Sequence, residues 1–130
     1  MATLLLDTSV IIDAVNEKNN RRQFLRGLVE HGNILACCPI NITEIYAGMR
    51  PKEEAQTTAF LASLDLYPIT FSVARLAGEL KRDFGKKGTT LSVTDSLIAA
   101  VAIECQLALL TDNTKDFPMK NLKLYPLPEH

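Results

Sequence analysis

The stretch of residues 92–106 constrains the fold more than any other part of the chain, because every residue from 97 to 103 is apolar. A helix that is apolar on all sides is buried inside a protein. Its first turn nevertheless carries a carboxylate, Asp95, and a charge at the mouth of a buried helix is costly unless another group compensates it. Capping by Ser92 and the favourable interaction of an acid with the helix dipole are the simplest explanation. A function for Asp95 therefore requires that other acids converge on the same place.

Short apolar runs alternate with helical patterns along the chain. Strands are predicted at residues 4–6, 34–38, 66–69, 107–110 and 122–127, the last as a Pro-interrupted edge strand. Helices are predicted at residues 10–15, 21–31, 41–49, 52–64 and 92–106, with another capped at residue 71 or 72 and ending near residue 84. A basic, glycine-punctuated turn is predicted at residues 81–88. The pattern predicts one domain over residues 1–130, with a three-layer α/β/α fold and a short, mainly parallel central sheet.

Charge, cysteines and histidines exclude several functions. The formal net charge is −1, so a nucleic-acid partner would need a local basic patch. No apolar run reaches membrane-spanning length and the N-terminus lacks a signal-peptide layout, which predicts a cytoplasmic protein. All three cysteines suit a reducing compartment: Cys37, Cys38 and Cys105. Cys37 and Cys38 lie in an apolar run, which favours two small core residues over a redox pair. The chain contains two histidines, His31 and His130, so few residues could serve as ligands of a zinc site or as the base of a catalytic triad.

Acidic residues are directed to one edge of the predicted sheet. In parallel sheets, ligands gather beyond the carboxyl ends of the strands. Asp7 ends the first strand, Glu44 follows the second, and Asp95 opens a helix that runs antiparallel to the strand it precedes. Three more polar residues follow the strand at residues 107–110: Asp112, Asn113 and Asp116.

Each of these residues also has a simple structural explanation. Asp7 suits an N-cap, Asn41 with Glu44 fits a capping box, and the residues after position 110 suit a turn. Taken together, however, clustered carboxylates repel and raise one another's pKa unless a cation lies between them. Carboxylates without imidazole or thiolate select hard ions such as Mg²⁺ or Mn²⁺, which support phosphate chemistry through metal-activated water.

Four motifs carry a resemblance to a known family. They are Asp7-Thr8-Ser9-Val10-Ile11-Ile12-Asp13 after a leucine run, Asn41-Ile42-Thr43-Glu44-Ile45-Tyr46-Ala47-Gly48, Thr94-Asp95-Ser96-Leu97-Ile98-Ala99-Ala100, and Leu110-Thr111-Asp112-Asn113-Thr114-Lys115-Asp116-Phe117. Over nearly the whole chain, this order resembles the PIN domain, and more narrowly the bacterial VapC-type toxins of type II toxin–antitoxin operons. The resemblance implies a Mg²⁺- or Mn²⁺-dependent endoribonuclease that forms a homodimer and is held inactive by a cognate antitoxin protein.

The resemblance also implies roles for individual residues. Three residues match the core acids of the family: Asp7, Glu44 and Asp95. The fourth motif, at residues 110–117, corresponds to the closing motif of the family. In it, Asp116 matches the acid position and Asn113 the amide position. Asp112 stands where relatives often carry a basic residue, which leaves the fourth metal ligand open between Asp112 and Asp116. The hydroxyl groups of Thr8 and Thr111 are expected to orient carboxylates or waters.

Basic and apolar surfaces provide the expected contacts with partners. RNA would meet the acidic pocket through basic residues at its rim, and the candidates are Lys81, Arg82, Lys86 and Lys87, followed by Arg21, Arg22 and Arg50. A homodimer is expected through the helices at 21–31 and 52–64, whose apolar residues exceed what a small domain easily buries: Phe24, Leu28, Phe60, Leu61 and Leu64. An antitoxin arginine is expected among the acids, with an apolar part of the antitoxin near Ile42, Ile45 and Tyr46.

Two other functions compete with the nuclease. One is a PIN fold that binds RNA or protein with little catalysis, and the intact acids in all four motifs argue against it. The other is a response-regulator receiver, which also places acids at strand ends and binds Mg²⁺. A receiver requires a phosphoacceptor at a strand end and a lysine after the last strand. Asp65 instead precedes its predicted strand and Lys115 lies in a polar turn, which disfavours the receiver.

Overall fold

The structure, a computed structural model, describes residues 1–128 and contains a five-stranded sheet flanked by six α-helices. The strands are β1 (Thr3–Leu6), β2 (Ile34–Cys37), β3 (Asp65–Leu66), β4 (Ala108–Leu110) and β5 (Leu124–Tyr125). The helices are α1 (Thr8–Val15), α2 (Arg21–Glu30), α3 (Pro39–Gly48), α4 (Glu54–Ala62), α5 (Phe71–Lys86) and α6 (Val93–Glu104). Single turns of 3-10 helix lie at Pro51–Glu53 and Thr114–Asp116. The predicted α/β/α class is confirmed, while His130 lies outside the described residues.

The order of the strands places a crevice at the centre of the sheet. All strand pairs are parallel, and the order is β3-β2-β1-β4-β5. Leu5 of β1 is in register with Ala36 of β2 on one side and with Leu109 of β4 on the other. The chain therefore winds outward from β1 to β3 and then crosses to the opposite side of β1. The carboxyl ends of β1 and β4 form the topological switch point, where α/β sheets bind ligands.

The sheet is buried on both faces. Leu5 packs with residues of α5 and α6, whereas Leu4 and Leu6 pack with residues of α1, α2 and α4. All three leucines are 0% exposed, as expected for a strand whose alternate side chains enter two separate cores. The all-apolar strand pattern thus correctly predicted the helical layer on each side.

Helix α6 is the buried helix that the sequence predicts. Residues 98–101 are 0% exposed. The hydroxyl oxygen of Ser92 accepts a hydrogen bond of 3.0 Å from the backbone N–H of Asp95, so Ser92 is the N-cap. Because α6 leads into the parallel strand β4, its first turn lies toward the carboxyl edge of the sheet. The cap and the buried body together place Asp95 beside the switch-point crevice.

Helix α3 begins two residues earlier than predicted. The prediction started the helix at residue 41, whereas the helix begins at Pro39, whose fixed φ suits the first helical turn. Its N-cap is Cys38, so β2 ends one residue before the predicted strand does. This shift makes Asn41 the third helical residue and places Glu44 one turn further into the helix.

Helix α5 is longer than predicted and includes most of the residues that were expected to form the basic turn. The turn predicted at residues 81–88 is wrong up to Lys86, where α5 ends. Gly88 has a φ of +87°, the left-handed conformation that glycine adopts freely at the end of a helix. The N–H of Thr89 donates to the carbonyl of Phe84 at 2.9 Å, which closes the helix as in a Schellman motif.

The cysteines behave as core residues. Cys37 and Cys38 are free and buried. Burial raises the pKa of Cys38 to about 11, so the thiol stays protonated and unreactive near neutral pH.

Within residues 1–128, no helix combines the length and the apolar character needed to cross a membrane.

Candidate metal centre

Asp7 lies where β1 ends, in the switch-point crevice. Its backbone N–H donates to the carbonyl of Leu110 at 2.9 Å, which extends the pairing of β1 and β4 to the carboxyl edge. The carboxylate accepts hydrogen bonds from the backbone N–H of Thr8 at 2.9 Å and from the hydroxyl of Thr111 at 2.7 Å. Asp7 is therefore the N-cap residue of α1 and is also held by the strand beside it.

The pKa of Asp7 is raised above its ordinary value. The largest cause is burial, because a low-dielectric environment disfavours the charged carboxylate. Hydrogen bonds from Thr111 and Thr8 partly offset this effect, whereas repulsion from Asp95 and Asp112 adds to it. A buried acid with acidic neighbours is a site that favours a bound cation.

Asp95 shows the same pattern from the other side of the crevice. Burial raises its pKa most, repulsion from Asp116 and Glu44 adds to the effect, and hydrogen bonding with Ser92 works against it. Repulsion therefore links all the predicted acids: Asp7, Glu44, Asp95, Asp112 and Asp116. Their convergence at one edge, which the topology of a parallel sheet predicts, is present in the structure.

A buried amide builds the part of the site around Glu44. The hydroxyl of Thr8 donates to Oε1 of Glu44 at 2.6 Å, and Nδ2 of Asn41 donates to the same hydroxyl oxygen at 3.0 Å. Oδ1 of Asn41 accepts the backbone N–H of Cys38 at 2.9 Å. Asn41 is 0% exposed, so it fixes both the start of α3 and the hydroxyl that holds Glu44.

The predicted capping box of Asn41 with Glu44 is therefore wrong. Asn41 caps α3 by bonding to Cys38, which precedes it by three residues. This arrangement removes the capping explanation for Glu44. Sequence reasoning missed Asn41 as a residue that builds the site. The available signal was an amide just after an apolar run that ends in proline, because the earlier helix start buries that amide.

The closing motif holds Asp7 through the backbone carbonyl of Leu110 and the hydroxyl of Thr111. Thr111 is 2% exposed; its hydroxyl donates to Asp7 and accepts the backbone N–H of Asn113 at 3.0 Å. Asn113 thus contributes its main chain here. Asp116 ends the 3-10 turn and has an exposed side chain. The expected orienting role of Thr111 agrees with this geometry.

Asp112 makes different contacts from the other acids. Its Oδ1 accepts the hydroxyl of Ser9 at 2.9 Å, and its Oδ2 lies 3.6 Å from Nη2 of Arg21. Arg21 also lies 3.8 Å from Asp13 and is only 1% exposed. The prediction that Arg21 contacts RNA at the rim is wrong, because this guanidinium is enclosed between α1, α2 and the end of β4.

The donor chemistry of the crevice fits a hard cation. Its side chains offer carboxylate and hydroxyl oxygens, which Mg²⁺ and Mn²⁺ prefer. As the side chains stand, no group of three His, Cys, Asp or Glu residues within positions 1–128 is arranged to hold a metal ion. Hydrogen bonds instead hold the carboxylates individually, from Thr8 to Glu44 and from Thr111 to Asp7. The residues therefore match such an ion in charge and in atom type, without a closed ligand geometry.

The basic candidates differ in how freely they can contact a ligand. Nζ of Lys81 donates to the carbonyl of Leu91 at 2.6 Å, so it fastens the loop that precedes α6. Nε of Arg82 lies 3.0 Å from Oδ1 of Asp83. Two exposed lysines lie at the end of α5: Lys86 and Lys87. Helix α5 is followed by the loop that leads to α6, whose first turn carries Asp95.

The other two arginine candidates, Arg22 and Arg50, both contact protein groups close to them in the sequence. Arg22 donates to the carbonyls of Ala14 and Val15 at the end of α1, both at 3.1 Å. Nε of Arg50, an exposed side chain, lies 3.1 Å from Oε1 of Glu53. These contacts leave Arg22 with a structural role in the turn between α1 and α2.

The apolar surface expected for a dimer is smaller than predicted. Three of the predicted residues are buried in the core of the protomer itself: Leu28, Leu61 and Leu64. The domain buries them because α2 and α4 both cover the same face of the sheet. A groove remains between these helices and the start of β2, with Val29 52% exposed and Ile34 47% exposed. A smaller pocket lies between α1 and α3 and includes Ile12 and Ile45.

The sequence pattern of the PIN domain matches residues 4–120. Ribonuclease VapC19 of Mycobacterium tuberculosis is 31% identical over 115 residues, which cover 88% of this chain and 92% of that protein. Ribonuclease VapC10 of the same organism is 32% identical over 116 residues, which cover 89% of this chain and 86% of that protein.

Solved structures show the same fold. A chain in the crystal structure of VapBC2 from Rickettsia felis, bound to a DNA fragment from its promoter, superposes with a TM-score of 0.84. The two chains are 25% identical, and the match covers 95% of this chain and 97% of the other. A chain of DNA-bound VapBC from Salmonella typhimurium gives a TM-score of 0.81 at 20% identity, which indicates a shared fold.

Proposed function

The chain belongs to the PIN domain family, and on that premise we propose that it is a metal-dependent endoribonuclease, the toxin of a type II toxin–antitoxin pair. The observation that carries the proposal is the convergence of the acids at the switch point, where burial, with repulsion between the acids as a smaller cause, raises the pKa of both Asp7 and Asp95. The VapC ribonucleases that match most of this chain support the same activity.

Asp7, Glu44 and Asp95 are the proposed core of the catalytic metal site, with Asp112 or Asp116 as the fourth acid. A Mg²⁺ or Mn²⁺ ion bound there supplies an activated water and stabilises negative charge on the phosphoryl group. The chain's own groups prepare the site: Thr111 keeps the carboxylate of Asp7 oriented.

Thr8, which follows the first strand, has a similar role toward Glu44. Its hydroxyl is fixed as a donor to Glu44 because the amide of Asn41 donates to the hydroxyl oxygen. Two threonines from two strand ends therefore fix two carboxylates. Such fixed hydrogen bonds to ligands raise the precision of a metal site.

RNA binding is assigned to the basic end of α5. Lys86 and Lys87 are exposed, and Arg82 is exposed one turn earlier. Since the net charge of the chain is only −1, a local cluster of this kind can attract a phosphate backbone. Lys81 is a weaker candidate because it is bonded to Leu91.

An antitoxin protein is the proposed partner, as the VapBC neighbours suggest. An arginine of the antitoxin placed among the acids would form charge-assisted hydrogen bonds and compete with the cation. The pocket beside Ile45 and Ile12 is a site for an apolar part of the same segment. The proposal further includes a homodimer, a single domain over residues 1–130 and a cytoplasmic location.

The activity is tested by incubating the purified protein with RNA at increasing Mn²⁺. Cleavage is expected for the wild type and is expected to be lost in Asp7→Asn and Asp95→Asn, because each loses a charge that holds the ion. Glu30→Gln is the control, since Glu30 is an exposed acid at the end of α2. RNA binding without Mn²⁺-dependent cleavage would instead indicate a binding module, and labelling by acetyl phosphate would indicate a receiver.

A further inference from the structure

The side chain of Arg21 is a cation enclosed in the protein beside the proposed metal centre. Only 1% of it is exposed. Its Nε lies 3.8 Å from Oδ2 of Asp13, and its Nη2 lies 3.6 Å from Oδ2 of Asp112. A buried guanidinium needs carboxylates nearby, because removal from water disfavours an uncompensated charge.

Both oxygens of Asp112 are engaged on the side of the first two helices. Oδ1 accepts the hydroxyl of Ser9 in α1, and Oδ2 faces the guanidinium of Arg21 at the start of α2. Turning this carboxylate toward a metal ion would break the hydrogen bond and separate the charge pair. The side chain of Asp112 is 27% exposed, so the pair is partly shielded from solvent.

Within residues 1–128, the side chain of Asp116 makes no hydrogen bond or ion pair of this kind. It lies on the 3-10 turn after Asp112, and its side chain is exposed. Among the acids of the closing motif, Asp116 is the one whose charge repels Asp95, whereas Asp112 repels Asp7. The two acids therefore occupy different positions around the centre.

We propose that Asp112 is a positioning residue and not a metal ligand: it is the counter-charge of buried Arg21, and with Ser9 it ties the end of β4 to α1 and α2. This leaves Asp116, which already matches the acid of the family's closing motif, as the fourth acid of the centre. This inference rests on the proposed nuclease function for its metal, but the charge pair is independent of it.

The charge pair is tested by thermal melting in chelator. Asp112→Asn keeps an acceptor for Ser9 but leaves Arg21 with less compensation, and the melting temperature is expected to fall by about 5 °C or more. The double variant Arg21→Met with Asp112→Asn removes both charges and is expected to recover most of that loss. If Arg21→Met does not fold, Arg21→Gln with Asp112→Asn serves as the second double variant.

The ligand assignment is tested by calorimetric titration with Mn²⁺ alone. The double variant preserves the local charge balance, so its Mn²⁺ affinity is expected to stay within about threefold of the wild type if Asp112 is not a ligand. Asp116→Asn is expected to lose at least about tenfold, because a ligand and a charge are both removed. A loss in the double variant equal to that of Asp116→Asn would overturn the assignment.

The melting and titration experiments distinguish a failure of this inference from a failure of the proposed function. Equal melting temperatures for the wild type and Asp112→Asn, with no recovery in the double variant, would overturn the charge pair whatever the activity. A wild type that neither binds Mn²⁺ nor cleaves RNA would refute the proposed function. In that case the assignment of Asp116 as a metal ligand would be refuted as well. The melting data alone would then test the pairing of Arg21 with Asp112.

Discussion

The hydroxyl of Thr111 donates a hydrogen bond of 2.7 Å to Oδ2 of Asp7, although the two residues are 104 positions apart in the chain. The bond joins the carboxyl ends of β1 and β4 at the switch point. It is buried, since Thr111 is 2% exposed and Asp7 is 6% exposed. The orientation of the central acid therefore depends on a neighbouring strand from the other end of the sequence.

Thr111→Val tests this bond with a side chain of nearly the same shape. The free energy of unfolding is expected to fall by about 1–2 kcal/mol, because Asp7 loses a buried donor. The pKa of Asp7 should rise further, since this hydrogen bond lowers it. Weaker Mn²⁺ binding near neutral pH is expected in calorimetric titration. Thr89→Val, at an exposed threonine, is the control, and equal effects in both variants would contradict the role of Thr111.

Asp7→Asn is expected to abolish cleavage and to leave the fold intact. In chelator the variant should melt at or above the wild-type temperature at about pH 7, because a buried and repelled charge has been removed. Since the folded pKa of Asp7 is raised, the folded wild type binds more protons than the unfolded chain. Its stability therefore rises as the pH falls through the folded pKa.

The advantage of Asp7→Asn should consequently shrink as the pH is lowered toward about 4, near the unfolded pKa of an aspartate. Melting curves over this range, with wild type and variant side by side, measure the difference. A variant that melts clearly below the wild type at neutral pH would show that Asp7 acts chiefly as a cap, a role worth about 1 kcal/mol.

Asn41→Ala is expected to destabilise the protein by about 2–3 kcal/mol. The substitution leaves the backbone N–H of Cys38 and the hydroxyl of Thr8 without their partner in a buried setting. RNA cleavage should fall as well, because the donor to Glu44 is no longer held. Urea unfolding measures the stability, and Asn121→Ala, at an exposed position, is the control. An unchanged unfolding midpoint would contradict the network.

Inhibition by the antitoxin is expected to depend on the metal. Replacing the arginine of the antitoxin tail by alanine should restore part of the nuclease activity without dissolving the complex. Raising Mn²⁺ should weaken inhibition by the intact tail more than binding by the alanine variant, because the arginine and the cation compete for the same acids. If Mn²⁺ has no differential effect, the tail blocks RNA from outside the pocket.

A homodimer is expected to have twice the chain mass of 14.4 kDa by light scattering at micromolar concentration. The proposed surface is the groove between α2 and α4, where Val29 is exposed. Val29→Arg should yield a monomer, whereas Ala74→Arg, on the exposed surface of α5, should not. A monomeric wild type would refute the dimer.

Several parts of this protein follow from local sequence patterns. An apolar strand such as residues 4–6 has no polar face, so it requires cover on both sides, and the structure supplies two helical layers. The all-apolar body of α6 dictates burial in the same way, and Ser92 is recognisable as its N-cap. A parallel sheet then sends strand ends to one edge, which is why the convergence of the acids was predictable.

Other features depend on contacts between distant segments, which no local pattern encodes. Asn41 looked like the N-cap residue of its helix, but the earlier helix start makes it the third helical residue, bonded to Cys38 and Thr8. Arg21 looked like a surface cation, yet α1 and the end of β4 enclose it and supply its carboxylates. Periodicity reports which face of an element is buried. The partner of each buried polar group is decided only when the elements pack, because every such group must then find a donor, an acceptor or an opposite charge.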